Sequence, residues 1–124
     1  MSQILLDTNA LIWVVCQSAR LAPKWRELLV DADNDVFFSA VSVAEISIKA
    51  SSGRLVMPDD YVAVATRSGY VELPLLATHA LRLGTLPWHH RDPFDRMIVA
   101  QALVEDLAVM TSDPAFAPYG VLMV

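Results

Sequence analysis

Short apolar runs alternate with longer stretches of helical periodicity along this chain. Residues 4–6, 36–38 and 107–110 form continuous apolar runs, which are typical of strands buried on both faces of a parallel sheet, and the last predicted strand of this kind extends to Thr111. Residues 70–73 are less apolar and predict a strand near an edge of the sheet, and residues 121–124 predict a last strand. The pattern therefore predicts a sheet of four to five strands.

Helices are predicted between these strands, at residues 10–17, 23–33, 43–52, 58–68, 75–83 and 93–105. Ser42 and Glu45 fit the S-x-x-E capping box, with Ser42 as the cap. Asp92 followed by Pro93 is a typical cap and first helical residue. Because strands and helices alternate with short joins, we expect an α/β fold, specifically an α/β/α sandwich around a central parallel sheet.

Length and composition place limits on the class of protein. The 124 residues fit one domain, covering residues 1–124. Apolar residues make up 55% of the chain, yet no apolar run approaches the roughly 18 residues that span a bilayer. We expect no membrane segment, and an apolar surface that a partner or a second subunit covers. The single cysteine, Cys16, and the lack of a signal-peptide pattern predict a cytoplasmic protein.

Four acidic residues lie just after a predicted strand or at the start of the next helix: Asp7, Glu45, Asp95 and Asp113. The carboxyl ends of parallel strands share one edge of a sheet, and ligands bind at that edge. Each acid could instead be a cap or first-turn residue that stabilises its helix, and such caps cluster in any parallel sheet.

Two of these acids are not needed as caps, because Asp92 and Ser42 are the predicted caps of the helices that contain Asp95 and Glu45. Carboxylates that converge without basic partners repel one another unless a cation lies among them. Oxygen-only sites of this kind hold Mg²⁺ or Mn²⁺. The net charge of −5 argues against a diffuse basic surface for nucleic acid, but bound cations would reverse the local charge and attract phosphate.

Four short motifs in the chain resemble those of PIN-domain nucleases, and in particular the VapC-type toxins of bacterial toxin–antitoxin pairs. They are LLDTN at residues 5–9, SVAEI at 42–46, DPFDRMIVAQA at 92–102 and TSD at 111–113. The resemblance covers nearly the whole chain, in order and with fitting spacing. It implies the α/β/α sandwich with its acids at the carboxyl edge of the sheet, and Mg²⁺- or Mn²⁺-dependent hydrolysis of RNA.

The resemblance also implies a role for individual residues. Asp7, Glu45 and Asp95 match the core metal ligands, and Asp113 matches a more variable fourth acid. Asn9 and Thr111 match polar positions beside the ligands. Our mechanistic hypothesis is that one or two cations bind the scissile phosphate and activate a water for in-line attack. An antitoxin protein and a homodimer are the implied partners.

Several other polar residues invite interpretation. Lys49 shares a helix face with Glu45, and Arg91 precedes the third acid, so both are candidate contacts for RNA. Arg96 is predicted to be a surface residue or an antitoxin contact, and His79 a residue on a helix surface. His89 and His90 are adjacent and lack the spacing of a zinc site. Trp88 is a candidate contact for substrate or partner.

The sequence thus favours a small cytoplasmic ribonuclease that acts as the toxin of a toxin–antitoxin pair. Alternatives are a PIN nuclease of RNA processing and a non-catalytic module that binds RNA or a partner. A phosphotransfer protein on a similar sheet would need a second aspartate two residues after Asp7, where this chain has Asn9. The target RNA, the antitoxin, the number of metal ions and the choice between Mg²⁺ and Mn²⁺ stay open.

Overall fold

The computed structural model of the protein describes residues 1–124 and contains one sheet of four strands. The strands are β1 (Gln3–Leu6), β2 (Asp35–Ser39), β3 (Val71–Leu73) and β4 (Ala108–Met110). Every neighbouring pair is parallel, and the order across the sheet is β3-β2-β1-β4. The predicted α/β fold with a central parallel sheet is confirmed, with β3 at an edge as expected.

Helices join the strands and cover the sheet. They are α1 (Thr8–Val15), α2 (Pro23–Val30), α3 (Ala40–Ser51), α4 (Tyr61–Arg67), α5 (Ala77–Leu83) and α6 (Pro93–Glu105). A 3₁₀ helix, Pro114–Tyr119, follows β4. The longest helix, α6, has 13 residues, and none of the helices combines the length and apolarity required to cross a membrane.

The core has two halves, one on each face of the sheet. Side chains of consecutive strand residues point to opposite faces. In β1, Ile4 and Leu6 accordingly belong to one buried cluster with Trp25 and Phe38, whereas Leu5 belongs to a second cluster that includes helix α6. Burial on both faces explains why the strand sequences are continuously apolar.

The predicted last strand at residues 121–124 is wrong in extent. Only Met123 pairs with the sheet, through a single parallel bridge to Val109. The backbone N–H of Val109 donates to the carbonyl of Leu122 (2.7 Å), and the N–H of Val124 donates to the carbonyl of Val109 (3.0 Å). β4 has three residues, so it is too short to pair with the whole of this segment.

The predicted cap of α3 is also wrong. Ser39, the last residue of β2, is the cap, and its hydroxyl accepts from the N–H of Val41 (2.9 Å). Ser42 is buried inside the first turn, and Glu45 therefore lies in the second turn of α3. The strand runs directly into the helix, so the helix begins earlier than the S-x-x-E pattern indicates. Asp92, in contrast, caps α6 as predicted.

His79 is fully buried, which corrects its predicted place on a helix surface. Its Nδ1 accepts a hydrogen bond from the N–H of Leu76 (3.0 Å), and its Nε2 lies 3.6 Å from a carboxylate oxygen of Glu105 in α6. The ring is therefore placed between the start of α5 and the end of α6. It packs these two helices together, away from the carboxyl edge of the sheet.

Candidate active site

Strand β1 lies between β2 and β4, and the polar residues that follow these three strands meet at one edge of the sheet. Asp7 comes directly after β1 and is the cap of α1. Its Oδ1 accepts from the N–H of Ala10 (2.7 Å), and its side chain also hydrogen-bonds with Thr111 at the end of β4. Asp7 is buried, so its carboxylate has a fixed place in the floor of the site.

Glu45 reaches the same place from α3 and is held at both carboxylate oxygens. Its Oε1 lies 2.7 Å from the hydroxyl of Thr8, which is also 3.0 Å from the hydroxyl of Ser42. Its Oε2 accepts from the ammonium group of Lys49 (2.7 Å), one turn further along α3. Glu45 is as buried as Asp7, and these contacts orient its carboxylate.

Asp95 and Asp113 complete the acidic group from α6 and from the turn after β4. The backbone N–H of Asp113 donates to Thr111 Oγ1 (3.0 Å), and Asp113 Oδ1 accepts from the N–H of Ala115 (2.9 Å). Asp95 Oδ2 lies 2.8 Å from Nε2 of His90, and Asp113 Oδ2 lies 3.7 Å from the same nitrogen. The imidazole therefore stands beside both carboxylates.

One cavity of about 120 Å³ unites these residues, and no hydrophobic side chain lines it. Its lining consists of Asp7, Thr8, Asn9, Glu45, Lys49, Asp92, Asp95 and Asp113. All four predicted acids line it, together with Asn9 and Lys49, whereas Thr111 lies behind Asp7. Lys49 is the single basic residue in a wall that carries five carboxylates.

The acids repel one another, and burial adds to the cost of their charge. Burial raises the pKa of Asp95 to about 6, with a further contribution from the charge of Asp92; the hydrogen bond from His90 opposes the rise. Burial likewise raises the pKa of Asp7, and the charges of Asp113 and Glu45 add to it. A carboxyl pKa raised by burial, with a further contribution from nearby acids, is a common mark of a functional site.

The donor set fits a hard divalent cation. Carboxylate oxygens from four elements converge, one basic side chain is present, and at least two of the acids are destabilised as anions. Mg²⁺ and Mn²⁺ prefer such oxygen ligands, and a bound cation would relieve the repulsion. The residues that would hold it are Asp7, Glu45, Asp95 and Asp113.

His90 is a residue of this site that the sequence did not reveal as one. Its Nε2 and one carboxylate oxygen each of Asp95 and Asp113 all lie within 4.8 Å of one another. The sequence lacks the spacing of a paired-histidine zinc motif. That spacing does not bear on a single histidine that lies beside two acids from other elements. His89, next to it, is exposed and packs edge-to-face on Tyr119 instead.

Arg96 is buried, which corrects its predicted place on the surface. Its guanidinium donates to the carbonyl of Pro87 (2.8 Å) and the hydroxyl of Tyr119 (3.2 Å), and it lies 3.9 Å from the centre of the Trp88 ring. It does point away from Asp95, but that side of α6 faces the loop before the helix and not solvent. Arg91 lines a separate groove beside Trp88.

The sequence itself matches one known family over most of its length, because residues 4–122 fit the PIN domain. The chain belongs to the PIN domain family. This PIN domain matches none of the curated proteins by sequence. It does resemble solved structures across its whole length, and these resemblances concern the fold.

Three of these structures illustrate the likeness. A VapBC2 complex from Rickettsia felis, bound to a fragment of promoter DNA, has 16% identity and a TM-score of 0.75, covering 98% of this chain and 97% of that one. A DNA-bound VapBC from Salmonella typhimurium has 20% identity and a TM-score of 0.73, covering 100% and 98%. VapBC-5 from Mycobacterium tuberculosis, described as a member of a family of toxin–antitoxin systems, has 22% identity and a TM-score of 0.64, covering 100% and 98%.

Proposed function

We propose that this PIN domain is a metal-dependent endoribonuclease of the VapC type, the toxin of a toxin–antitoxin pair. The observation that carries the proposal is the convergence of Asp7, Glu45, Asp95 and Asp113 on one polar cavity. Family membership supports nuclease activity, and the likeness to VapBC complexes supports the toxin assignment.

Individual residues of the site have different roles in the proposed reaction. Asp7, Glu45, Asp95 and Asp113 would hold Mg²⁺ or Mn²⁺, and the cation would supply positive charge for the scissile phosphate and acidify water at the site. Thr111 and Thr8 hold Asp7 and Glu45 in place by hydrogen bonds. Asn9 lies exposed at the cavity, where its amide can contact the substrate.

RNA binding is assigned to local cations, because the chain as a whole carries a net charge of −5. Lys49 is 42% exposed while it contacts Glu45, so its ammonium group can also reach a phosphate at the cavity. Arg91 is exposed beside Trp88, and we assign it to the RNA backbone outside the cavity.

We further propose that the protein is cytoplasmic, binds a cognate antitoxin and forms a homodimer. Large apolar side chains lie on the surface, among them Val56 (91% exposed), Val30 (83%) and Leu81 (75%). Scattered apolar side chains are common on any protein surface, so the antitoxin partner is supported by the likeness to VapBC complexes. Cys16 is a free thiol, which agrees with a reducing compartment.

Cleavage of a bulk RNA pool by the purified protein tests the nuclease. Wild type, Asp95→Asn and Asp59→Asn are compared in Mg²⁺, in Mn²⁺ and in chelator. Asp59 is an exposed acid outside the site, so its variant is the matched control. We expect metal-dependent fragments from wild type and Asp59→Asn, and none from Asp95→Asn.

Growth of cells that express the chain alone tests the toxin assignment. Arrest by wild type and not by Asp7→Asn supports a toxin. Metal-dependent cleavage without arrest supports a nuclease of RNA processing instead. An effect on cells that survives replacement of the acids contradicts catalysis and supports a binding module.

A further inference from the structure

His90 makes contacts on both nitrogens of its ring. The backbone N–H of Arg91 donates to Nδ1 (3.1 Å), and Nε2 lies 2.8 Å from Oδ2 of Asp95. A neutral imidazole carries one ring proton, and a nitrogen that accepts a hydrogen bond does not hold it. The proton is therefore on Nε2, and His90 donates a hydrogen bond to Asp95.

The loop that contains His90 is held in place by a buried network. The backbone N–H of His90 donates to the hydroxyl of Tyr119 (2.9 Å), and the same hydroxyl accepts from the guanidinium of Arg96. Arg96 also donates to the carbonyl of Pro87 (2.8 Å) and lies 3.5 Å from those of Leu83 and Leu86. The Arg96–Tyr119 pair thus binds the chain on the N-terminal side of His90 and at His90 itself.

Burial of this network costs free energy, because Arg96 carries a positive charge. No carboxylate lies within ion-pair distance of its guanidinium, and the residue is 5% exposed. A buried cation without an acidic partner is tolerated when its donors are satisfied, and here the acceptors are the carbonyls of the loop and the Tyr119 hydroxyl. The buried guanidinium of Arg96 therefore fixes the loop that contains His90.

We propose that His90 is a positioning residue of the metal site. It holds Asp95 by one oxygen, Oδ2, and leaves Oδ1, which accepts no hydrogen bond within the chain, for the cation. Its Nε2 also lies 3.7 Å from Oδ2 of Asp113, too far for a hydrogen bond but close enough to place the ring beside both outer carboxylates. Hydrogen-bonded partners of this kind fix the orientation of metal ligands and tune their affinity. The inference deepens the proposed function and depends on it.

Mn²⁺ binding without RNA is the first test, measured by calorimetry on wild type, His90→Ala, His90→Gln and Asp59→Asn. The amide of His90→Gln can still donate to Asp95, and Asp59, an exposed acid outside the site, is the control. We expect the Kd of His90→Ala to rise about 10- to 100-fold, His90→Gln to recover most of this loss, and Asp59→Asn to stay within about threefold of wild type. Circular dichroism of each variant confirms folding. An unchanged Kd in His90→Ala overturns the inference.

Two spectroscopic measurements separate positioning from the alternatives. Nitrogen NMR of histidine-labelled, metal-free protein should show His90 with its proton on Nε2, and a proton on Nδ1 overturns the inference. Pulsed EPR of the Mn²⁺-bound protein should show no directly coordinated histidine nitrogen. A coupling that disappears in His90→Ala would make His90 a ligand itself and overturn the positioning role.

The outcomes also distinguish this inference from the proposed function. Wild type that binds Mn²⁺ with the expected dependence on His90 but cleaves no RNA refutes the nuclease and leaves the positioning role intact. Wild type that binds no Mn²⁺ overturns both. RNA cleavage with a normal response to Mn²⁺ in His90→Ala overturns the positioning role alone.

Discussion

Replacing Asp95 by asparagine should stabilise the metal-free protein. The change removes a charge that burial and Asp92 disfavour, while the asparagine carbonyl can still accept the hydrogen bond from His90. Residues selected for an active site are often poor choices for stability, because function requires charges that the fold alone would avoid. The size of the effect follows from the pKa of Asp95.

Burial, the charge of Asp92 and that of Glu45 raise this pKa from 3.8 to about 6, so the native state binds the proton more tightly than the unfolded state. One pKa unit is equivalent to about 1.4 kcal/mol, and the shift therefore corresponds to about 3 kcal/mol. Its sign is set by linkage: the free energy of unfolding falls as the pH rises from about 4 to above 6. The full cost of the ionised Asp95 is present at pH 8, and about half of it at pH 5.

Urea unfolding in chelator at pH 8 and pH 5 measures the effect, with Asp59→Asn as the control. We expect Asp95→Asn to exceed wild type by about 1–3 kcal/mol at pH 8 and by a smaller amount at pH 5. With saturating Mn²⁺ the order should reverse, since wild type gains more from binding the ion. A metal-free Asp95→Asn that is no more stable than wild type at pH 8 refutes the reasoning, and so does a gain that is equal at both pH values.

Three further predictions concern the supports of the site. Tyr119→Phe leaves a donor of buried Arg96 without its acceptor and should cost about 1–3 kcal/mol in urea unfolding, whereas no measurable loss would mean that the network is dispensable. Ser39→Ala removes the cap of α3 and the 2.5 Å contact with the buried amide of Gln101, and should cost about 2 kcal/mol or more by the same measurement. Mn²⁺ at 100 times its Kd should raise the unfolding free energy of wild type by about 2.7 kcal/mol and that of Asp7→Asn much less; equal gains in both would place the ion elsewhere.

The sheet, its parallel pairing and the convergence of the four acids were predictable from the sequence. Strands buried on both faces need continuous apolar runs, and a parallel sheet brings the residues that follow its strands to one edge. The start of α6 was equally predictable, because the cap residue Asp92 and the first helical residue Pro93 are adjacent in the sequence. The start of α3 was not, because Ser39 and Ser42 both suit a cap and only the path from β2 into the helix decides between them.

The errors at His79, Arg96 and His90 have a common cause. Each side chain is polar, and its burial or contact depends on a partner from another part of the chain: Glu105 for His79, loop carbonyls for Arg96 and Asp95 for His90. Helical periodicity predicts on which side of a helix a residue lies, but it does not predict which other part of the chain packs against that side. The geometry of the loop before α6 was therefore beyond any local pattern.

The site is made of pieces that are distant in the chain and adjacent only through the pairing of β1 with its neighbours. Asp7 follows the central strand, and Asp113 follows β4, the last strand to be synthesised. Contacts between such distant segments require the closure of a large loop, which costs chain entropy and slows folding. A ribosome-bound chain in which β4 has not yet emerged carries three of the acids but has no completed cavity. Completion of the cavity therefore depends on β4 joining the sheet, because no shorter N-terminal part of the chain contains all four acids.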